Sequence, residues 1–340
     1  MRGAVVGLFV WVLGLSSSAV MAQQVTLAVQ HYKSASSTVH QKVLQPWCER
    51  LGRATGGKLS CRIAPASQAA VIPEEMAEAV RTGAVDVAWT AIAFTPGRFP
   101  AADAFELPFA TTSPEATARA LWSLSRGAGA RDFKDVRLLA IHTLGPEVIH
   151  NGRRPVKSLG DLKALRVRAH TLSGRNALNA LGAMSAAMPD RQMASAMSIG
   201  MLDGAFLTWD AAREAGILAS TSNHTEMPAG EPALHASVHV LLMNRAVYDR
   251  LPAPLRQSLD AQSGLDLSVA AAQAFAEADG AARKTVAVTR IQTVAKSDAA
   301  AMRKVSRPVV DAWVRAASGV GIDTRAVLAD VQRLAGRDVR

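Results

Sequence analysis

The chain has little that reacts, stacks or clusters. Two of its 340 residues are cysteine and two are tyrosine, aromatics make up 5% and charged residues 19%. A tetrahedral metal centre needs four ligands, and Cys48 and Cys61 have no ligand-spaced histidines to complete one. Nucleic-acid grooves stack bases on aromatic side chains along a cationic track. Here aromatics are sparse and no run of five basic residues occurs. Beyond the N-terminus no segment approaches the roughly 18 uninterrupted apolar residues of a spanning helix. Gly-x-Ser-x-Gly, His-Glu-x-x-His and Cys-x-x-Cys are absent after residue 22, which removes the usual hydrolytic, zinc and redox signatures. Neither a cofactor nor a metal is expected.

What is present is apolar and ordered. At 49% hydrophobic the chain can fill two cores, and no low-complexity tract suggests disorder. Residues 1–22 read as a secretory signal. Arg2 is the positive start, Ala4 to Leu15 the apolar stretch, and Val20-Met21-Ala22 the cleavage site. A mature start at Gln23 is expected, with a retained N-terminal anchor as the alternative. Net charge is +10, and loss of Arg2 leaves +9; the arginines are scattered, so most belong to a solvated surface. Cys48 and Cys61 flank a helix end, the Gly56-Gly57 turn and a strand start. In an oxidising compartment a disulfide is expected, with two buried thiols as the alternative.

Periodicity gives an α/β chain. Strands are expected at Val25 to Val29, Leu59 to Ala64 and Val85 to Thr90, with helices at Val39 to Ala54 and Glu74 to Thr82 between them. This β-α-β-α-β order implies a largely parallel sheet. A helix at Pro114 to Arg126 and a strand at Val136 to His142 follow. Later strands are expected at Gly204 to Thr208 and Ala236 to Met243. One long helix is expected from Pro254 to about Lys284, and another from Ser297 to Ala317. Chain crossings near 145 and 230 divide the chain into lobe I, 23–145 plus about 231–275, and lobe II, 146–230 plus about 276–340. A cleft between the lobes is the default ligand site.

The run Ser158 to His170 carries the main functional candidate. A helical turn passes into a strand at Leu165 to Ala169, which puts Leu165 and Val167 on one face and Arg166 and Arg168 on the other. Arg168 stands at the strand's carboxyl end, where ligands gather in open α/β sheets. Its guanidinium can grip a carboxylate with two parallel hydrogen bonds. Trp89 and Trp209 end two expected strands, as cleft or core residues. Asp210 could accept from a ligand or cap a helix. His170, two residues beyond Arg168, is the histidine nearest that site. Gly52 to Lys58 nearly spells a phosphate loop, but Leu59 replaces the hydroxyl residue and the context is helix then strand. Asn223-His224-Thr225 matches a glycosylation acceptor and is short enough to arise by chance.

Several runs together resemble the periplasmic substrate-binding proteins of tripartite ATP-independent periplasmic (TRAP) transporters, the DctP type. They are Val39 to Trp47, Thr55 to Leu59, Gly83 to Thr90, Thr95 to Pro100, Phe105 to Phe109, Asp161 to Arg168, Ala180 to Ala183, Met188-Pro189, Leu202 to Ala205 and Met243-Asn244. The resemblance implies a two-lobed clamshell with a hinge and a long helix spanning the lobes. It implies capture of a small organic anion in the periplasm, and delivery to the membrane permease subunits of a TRAP transporter, without nucleic acid. Under it the family's carboxylate-binding arginine falls on Arg168, with Trp89, Phe94, Trp209 and Asp210 as secondary contacts. Two departures stand out. Asp203-Gly204-Ala205-Phe206-Leu207-Thr208 replaces the Asp-Gly-Gln-Glu-Asn-Pro of sialic-acid-type members, which turns the expectation from a sugar acid to an apolar or aromatic carboxylate. Ser67 to Ile72 lacks the usual glycines. The alternatives are an exported binding protein that reports to a sensor, or a cleft enzyme with His170 and Asp210 as acid and base.

Overall fold

The computed structural model describes residues 24–335. The expected signal segment, 1–22, lies outside them. The chain forms a two-lobed α/β clamshell. The strands are β1 Val25–His31, β2 Leu59–Ala64, β3 Val87–Ala91, β4 Val136–Thr143, β5 Val148–Asn151, β6 Arg166–Arg168, β7 Met184–Ala186, β8 Gly204–Leu207, β9 Asn223–Glu226, β10 Val238–Asn244 and β11 Ile291–Thr293. Lobe I holds a sheet of order β2-β1-β3-β10-β4, and lobe II one of order β11-β9-β5-β8-β6-β7. β1 runs parallel to β2 and β3, and β10 is antiparallel to β3 and β4. β6 runs parallel to β7 and β8. Every residue of β3 and of β10 is buried, as expected for central strands covered on both faces.

Two apolar clusters cover the two faces of the first sheet. One packs Val80, Ala88, Phe105, Leu121, Ile141 and Val240 together; the other packs Val29, Trp47, Leu51, Leu139, Leu241 and Phe275. The helix Gln45–Ala54 is preceded by a π-helical turn, Val39–Leu44. The amide of Gln45 bonds to the carbonyl of His40, and Pro46 has no amide with which to continue the regular ladder at that point.

The expected long helix from Pro254 to Lys284 is instead two, Ala253–Ala261 and Leu265–Lys284. Gly264 breaks it, with φ +83° and its amide donated to the carbonyl of Leu139 at 2.6 Å. The second helix spans the lobes: Leu267, Ala271 and Phe275 lie in the first-lobe core, and Ala282 in the second. The assignment of about 276–340 to lobe II is corrected at its C-terminal end. Lys296–Gly319 starts against lobe II through Ala299 and Met302. It then crosses back, so Val310 and Ala317 join the first-lobe core with Val327 and Val331 of Thr324–Ala335. Those apolar residues recur at helical spacing, and only packing shows which lobe receives them. Asn223 is buried in β9.

Cys48 and Cys61 form a disulfide with Cα atoms 5.7 Å apart, tying the Gln45–Ala54 helix to β2. Its reduction should lower the free energy of unfolding by about 3 kcal/mol, the chain-entropy value for a loop near this length; guanidinium midpoints with and without dithiothreitol measure it. Gly204 is the tightest backbone approach in the second sheet. A Cβ there would overlap the His150 carbonyl oxygen and the backbone of Asn151 on neighbouring β5. Because backbone is in the way, Gly204→Ala should cost about 3 kcal/mol, the upper end of the overpacking range; urea unfolding of the variant reads this directly.

Candidate functional site

β1, β3, β6 and β8 all point their carboxyl ends at the space between the sheets. Short loops there carry the polar side chains. In β6, Val167 is buried beside Leu162, Leu165 and Leu178, so alternation puts both arginines on the opposite face. The two arginines then diverge. Arg166 is held by Asp203, with Nη2 2.7 Å from Oδ1 and Nε 3.2 Å from Oδ2. That pairing keeps the Asp203 carboxyl down at about 2.

Arg168 is 3% exposed. Its Nε donates to the Met188 carbonyl at 3.0 Å and its Nη2 to Asp190 Oδ1 at 2.6 Å. Its Nη1 is buried and has no hydrogen-bond partner. A buried charged donor without a partner is costly, so this nitrogen is a standing demand for an acceptor.

Lobe I meets this group through the loop after β1. Lys33 Nζ lies 3.4 Å from Asp190 Oδ2 and 3.5 Å from Glu214 Oε2. Thr38 donates its hydroxyl to Asp210 Oδ2 at 2.8 Å and its amide to Glu214 Oε1 at 3.3 Å. All four contacts join one lobe to the other. Burial alone would raise the Asp190 carboxyl, but Lys33 and Arg168 more than offset it and hold it at about 2. Burial likewise works against the Lys33 ammonium, and Asp190 and Glu214 reverse that, raising it above its ordinary value.

An aromatic wall stands beside these charges. The Tyr32 ring stacks on Trp89 at 5.2 Å and meets the edge of Phe94 at 5.0 Å. The Phe94 and His170 ring centres are 6.4 Å apart. Tyr32 Oη bonds to His239 Nε2 at 2.6 Å, and Trp89 faces that imidazole at 4.4 Å. Trp89 Nε1 can only donate, so His142 Nε2 accepts at 3.1 Å and the His142 proton sits on Nδ1, against the Thr143 carbonyl. Behind His170 lies Glu147, whose Oε1 is 3.9 Å from His170 Nδ1 and whose Oε2 is 3.0 Å from His235 Nδ1.

The expected site residues fall into two groups. Arg168 and His170 follow one another on the second lobe, and Phe94 and Trp89 reach His170's surroundings through Tyr32. Trp209 belongs to the second-lobe core, among Val148, Met193, Leu207 and Ile217, with its Nε1 donated to Glu226 at 2.8 Å. Asp210 is buried and holds Thr38 and Arg213, the latter at 2.6 Å. His170 and Asp210 therefore have separate partners. Sequence reading did not single out Tyr32, Lys33, Glu147, Asp190 or Glu214. Tyr32 is one of only two tyrosines and follows a strand, which is the one signal that could have drawn attention to it.

A family model described as DctP, bacterial extracellular solute-binding protein, family 7, matches residues 29–316. A TRAP solute-binding protein from Rhodoferax ferrireducens, solved with copurified benzoate, is 32% identical with a TM-score of 0.86; the match covers 92% of this chain and 98% of that one. A marine-metagenome TRAP solute-binding protein specific for aromatic acid ligands, solved with metahydroxyphenylacetate, is 28% identical with a TM-score of 0.87, covering 93% and 100%. The outer membrane transporter protein TsaT of Comamonas testosteroni is 23% identical over 313 residues, 90% of each chain.

Burial lowers the His170 imidazole to about 4, against the opposing pull of Glu147. It should stay neutral in the native protein down to that pH, with an NMR titration midpoint near 4 and not near 6.5. Between 6.5 and 4 the unfolded chain takes up this proton and the native chain does not, so this group's contribution to stability falls as pH drops through that window. Asp103 and Asp279, pushed up by burial to about 7, act in the opposite direction.

Proposed function

Because the chain belongs to the DctP family of bacterial extracellular solute-binding proteins, the TRAP type, we propose that it captures a small apolar or aromatic organic acid by its carboxylate and delivers it to the permease subunits of a TRAP transporter. The observation that carries this reading is the buried, unpartnered Nη1 of Arg168, on a guanidinium whose other two nitrogens are fixed. Fixing two of three nitrogens presets the third, so the ordering cost is met before the ligand arrives. In a water-poor cleft the ion pair is also stronger than in bulk solvent. Tyr32 and Phe94, packed edge to face and backed by Trp89, offer an apolar corner for the rest of the ligand. The aromatic ligands of the two solved relatives agree with such a corner. His170, its ring centre 6.4 Å from that of Phe94, adds a neutral hydrogen-bonding group beside that wall.

The protein acts by binding and not by turnover. Acid–base work needs a group poised near the working pH, and His170 lies well below it. Its nearest carboxylate is Glu147, while Asp210 is engaged by Thr38 and Arg213. Ligand binding shifts the lobes toward the closed arrangement by hinge motion about the crossings near 145 and 230 and the Leu265–Lys284 helix. Residues 1–22 direct export to the periplasm, where the DctP family's extracellular role is carried out.

Truncating one member of a desolvated charge pair leaves the other unmatched. Arg168→Ala should therefore weaken benzoate binding by roughly a hundredfold or more in titration calorimetry. Arg166→Ala should leave the benzoate affinity near that of the unsubstituted protein and instead lower thermal stability, because it leaves the buried Asp203 carboxylate with Arg153 as its one arginine partner. Equal affinity in Arg168→Ala and the unsubstituted protein would defeat the assignment.

A further inference from the structure

The cleft holds cations, yet its charge is already spent. Asp190 spends it by bridging the lobes, with Oδ1 on Arg168 at 2.6 Å and Oδ2 near Lys33 at 3.4 Å. Glu214 lies 3.5 Å from the same ammonium. Two cations, Lys33 and Arg168, thus face two carboxylates, Asp190 and Glu214. The other charges around them are committed elsewhere. Arg213 holds Asp210, Arg175 is turned onto the carbonyls of Ala169 and His170, and Glu147 lies against His235. The imidazoles of His142 and His170 are held neutral by burial, so they add no positive charge at pH 7.

A ligand's first carboxylate has a donor waiting in Arg168 Nη1. A second carboxylate on the same ligand finds no uncommitted ammonium or guanidinium among these residues. The cations there, Lys33 and Arg168, already carry Asp190 and Glu214, so it meets negative charge in their place. We propose that Asp190 is a specificity-determining residue: by occupying Arg168 and Lys33 together, it restricts the cleft to acids with a single negative charge and rejects diacids of the same skeleton. This rests on the reading of Arg168 as a carboxylate anchor and adds what that reading leaves open, the charge of the ligand.

The test is a ratio. Benzoate and terephthalate, and hexanoate and adipate, are matched pairs that differ by one carboxylate. Calorimetric affinities for each pair should favour the monoacid by roughly a hundredfold in the unsubstituted protein, the scale of a like-charge juxtaposition in a partly dry site. Asp190→Asn keeps the side chain's size and removes its charge. It should narrow the ratio by roughly tenfold, less than a fully buried charge would give because the side chain is half-exposed and partly screened. Asp190 also helps hold the lobes together, but a change in lobe closure alters both members of a pair equally and cancels in the ratio. Glu214→Gln, which contacts Lys33 and not Arg168, should narrow the ratio in the same direction by a smaller factor, and it supplies the test if Asp190→Asn does not fold. Diacids binding as tightly as monoacids in the unsubstituted protein, or an unchanged ratio in both variants, would overturn the inference and leave the anchor standing. Failure of every monoacid to bind the unsubstituted protein would overturn the anchor, and the inference with it.

Discussion

The buried guanidinium of Arg168 is the constraint around which the cleft is organised. A charge this deep is tolerated only when it is paired and hydrogen-bonded. The chain meets that demand from two directions and leaves the third open. Met188 supplies a backbone carbonyl, Asp190 supplies a carboxylate, and the third nitrogen is left unpartnered. Asp190 in turn reaches Lys33 on the other lobe. One carboxylate therefore does two jobs. It neutralises the Arg168 guanidinium and ties it to Lys33 on the neighbouring lobe.

The fold makes this convergence possible by pointing the carboxyl ends of several strands at one space. β1 delivers Tyr32 and Lys33, β3 delivers Trp89 and, one turn later, Phe94, and β6 delivers Arg168 and His170. β8 delivers Asp210 and, through the short helix Trp209–Glu214, Glu214. Each loop is short, so its side chains inherit the rigidity of the sheet behind it. Gly204, pressed against the backbone of Asn151, keeps β8 close enough to β5 for that delivery. The helix Leu265–Lys284 adds a brace, because its first turns are buried in one core and its last in the other.

Much of the framework was legible from side-chain periodicity. Helix Pro114–Arg126 and strand Leu59–Ala64 emerged with the expected bounds, because Ser113 and Pro114 mark a helix start and Gly56-Gly57 a turn. β5, β7, β9 and β11 went unrecognised, because three or four residues carry little period of their own; the equally short β6 and β8 were found as parts of the expected strands Leu165 to Ala169 and Gly204 to Thr208. The long C-terminal helix was misread at Gly264, where a tertiary hydrogen bond to β4 outweighs the helix propensity of the Ala-rich run that follows. Arg168 was legible because it combined a strand end, a particular residue type and a familiar run of neighbours.

The sequence by itself determined the class of the chain, the order of its longer strands and helices, and that Arg166 and Arg168 share one strand face. These follow from local rules: alternation in a strand and turns at glycine. Tertiary structure alone decided that Arg166 is spent on Asp203 and that Trp209 turns into a core. It also decided that Asp190, Glu214 and Lys33 meet around Arg168. Asp190 alone lies 22 residues along the chain from Arg168 and 157 from Lys33. A charge's worth depends on what stands within a few ångströms of it, and only the packed lobes bring such distant residues that close.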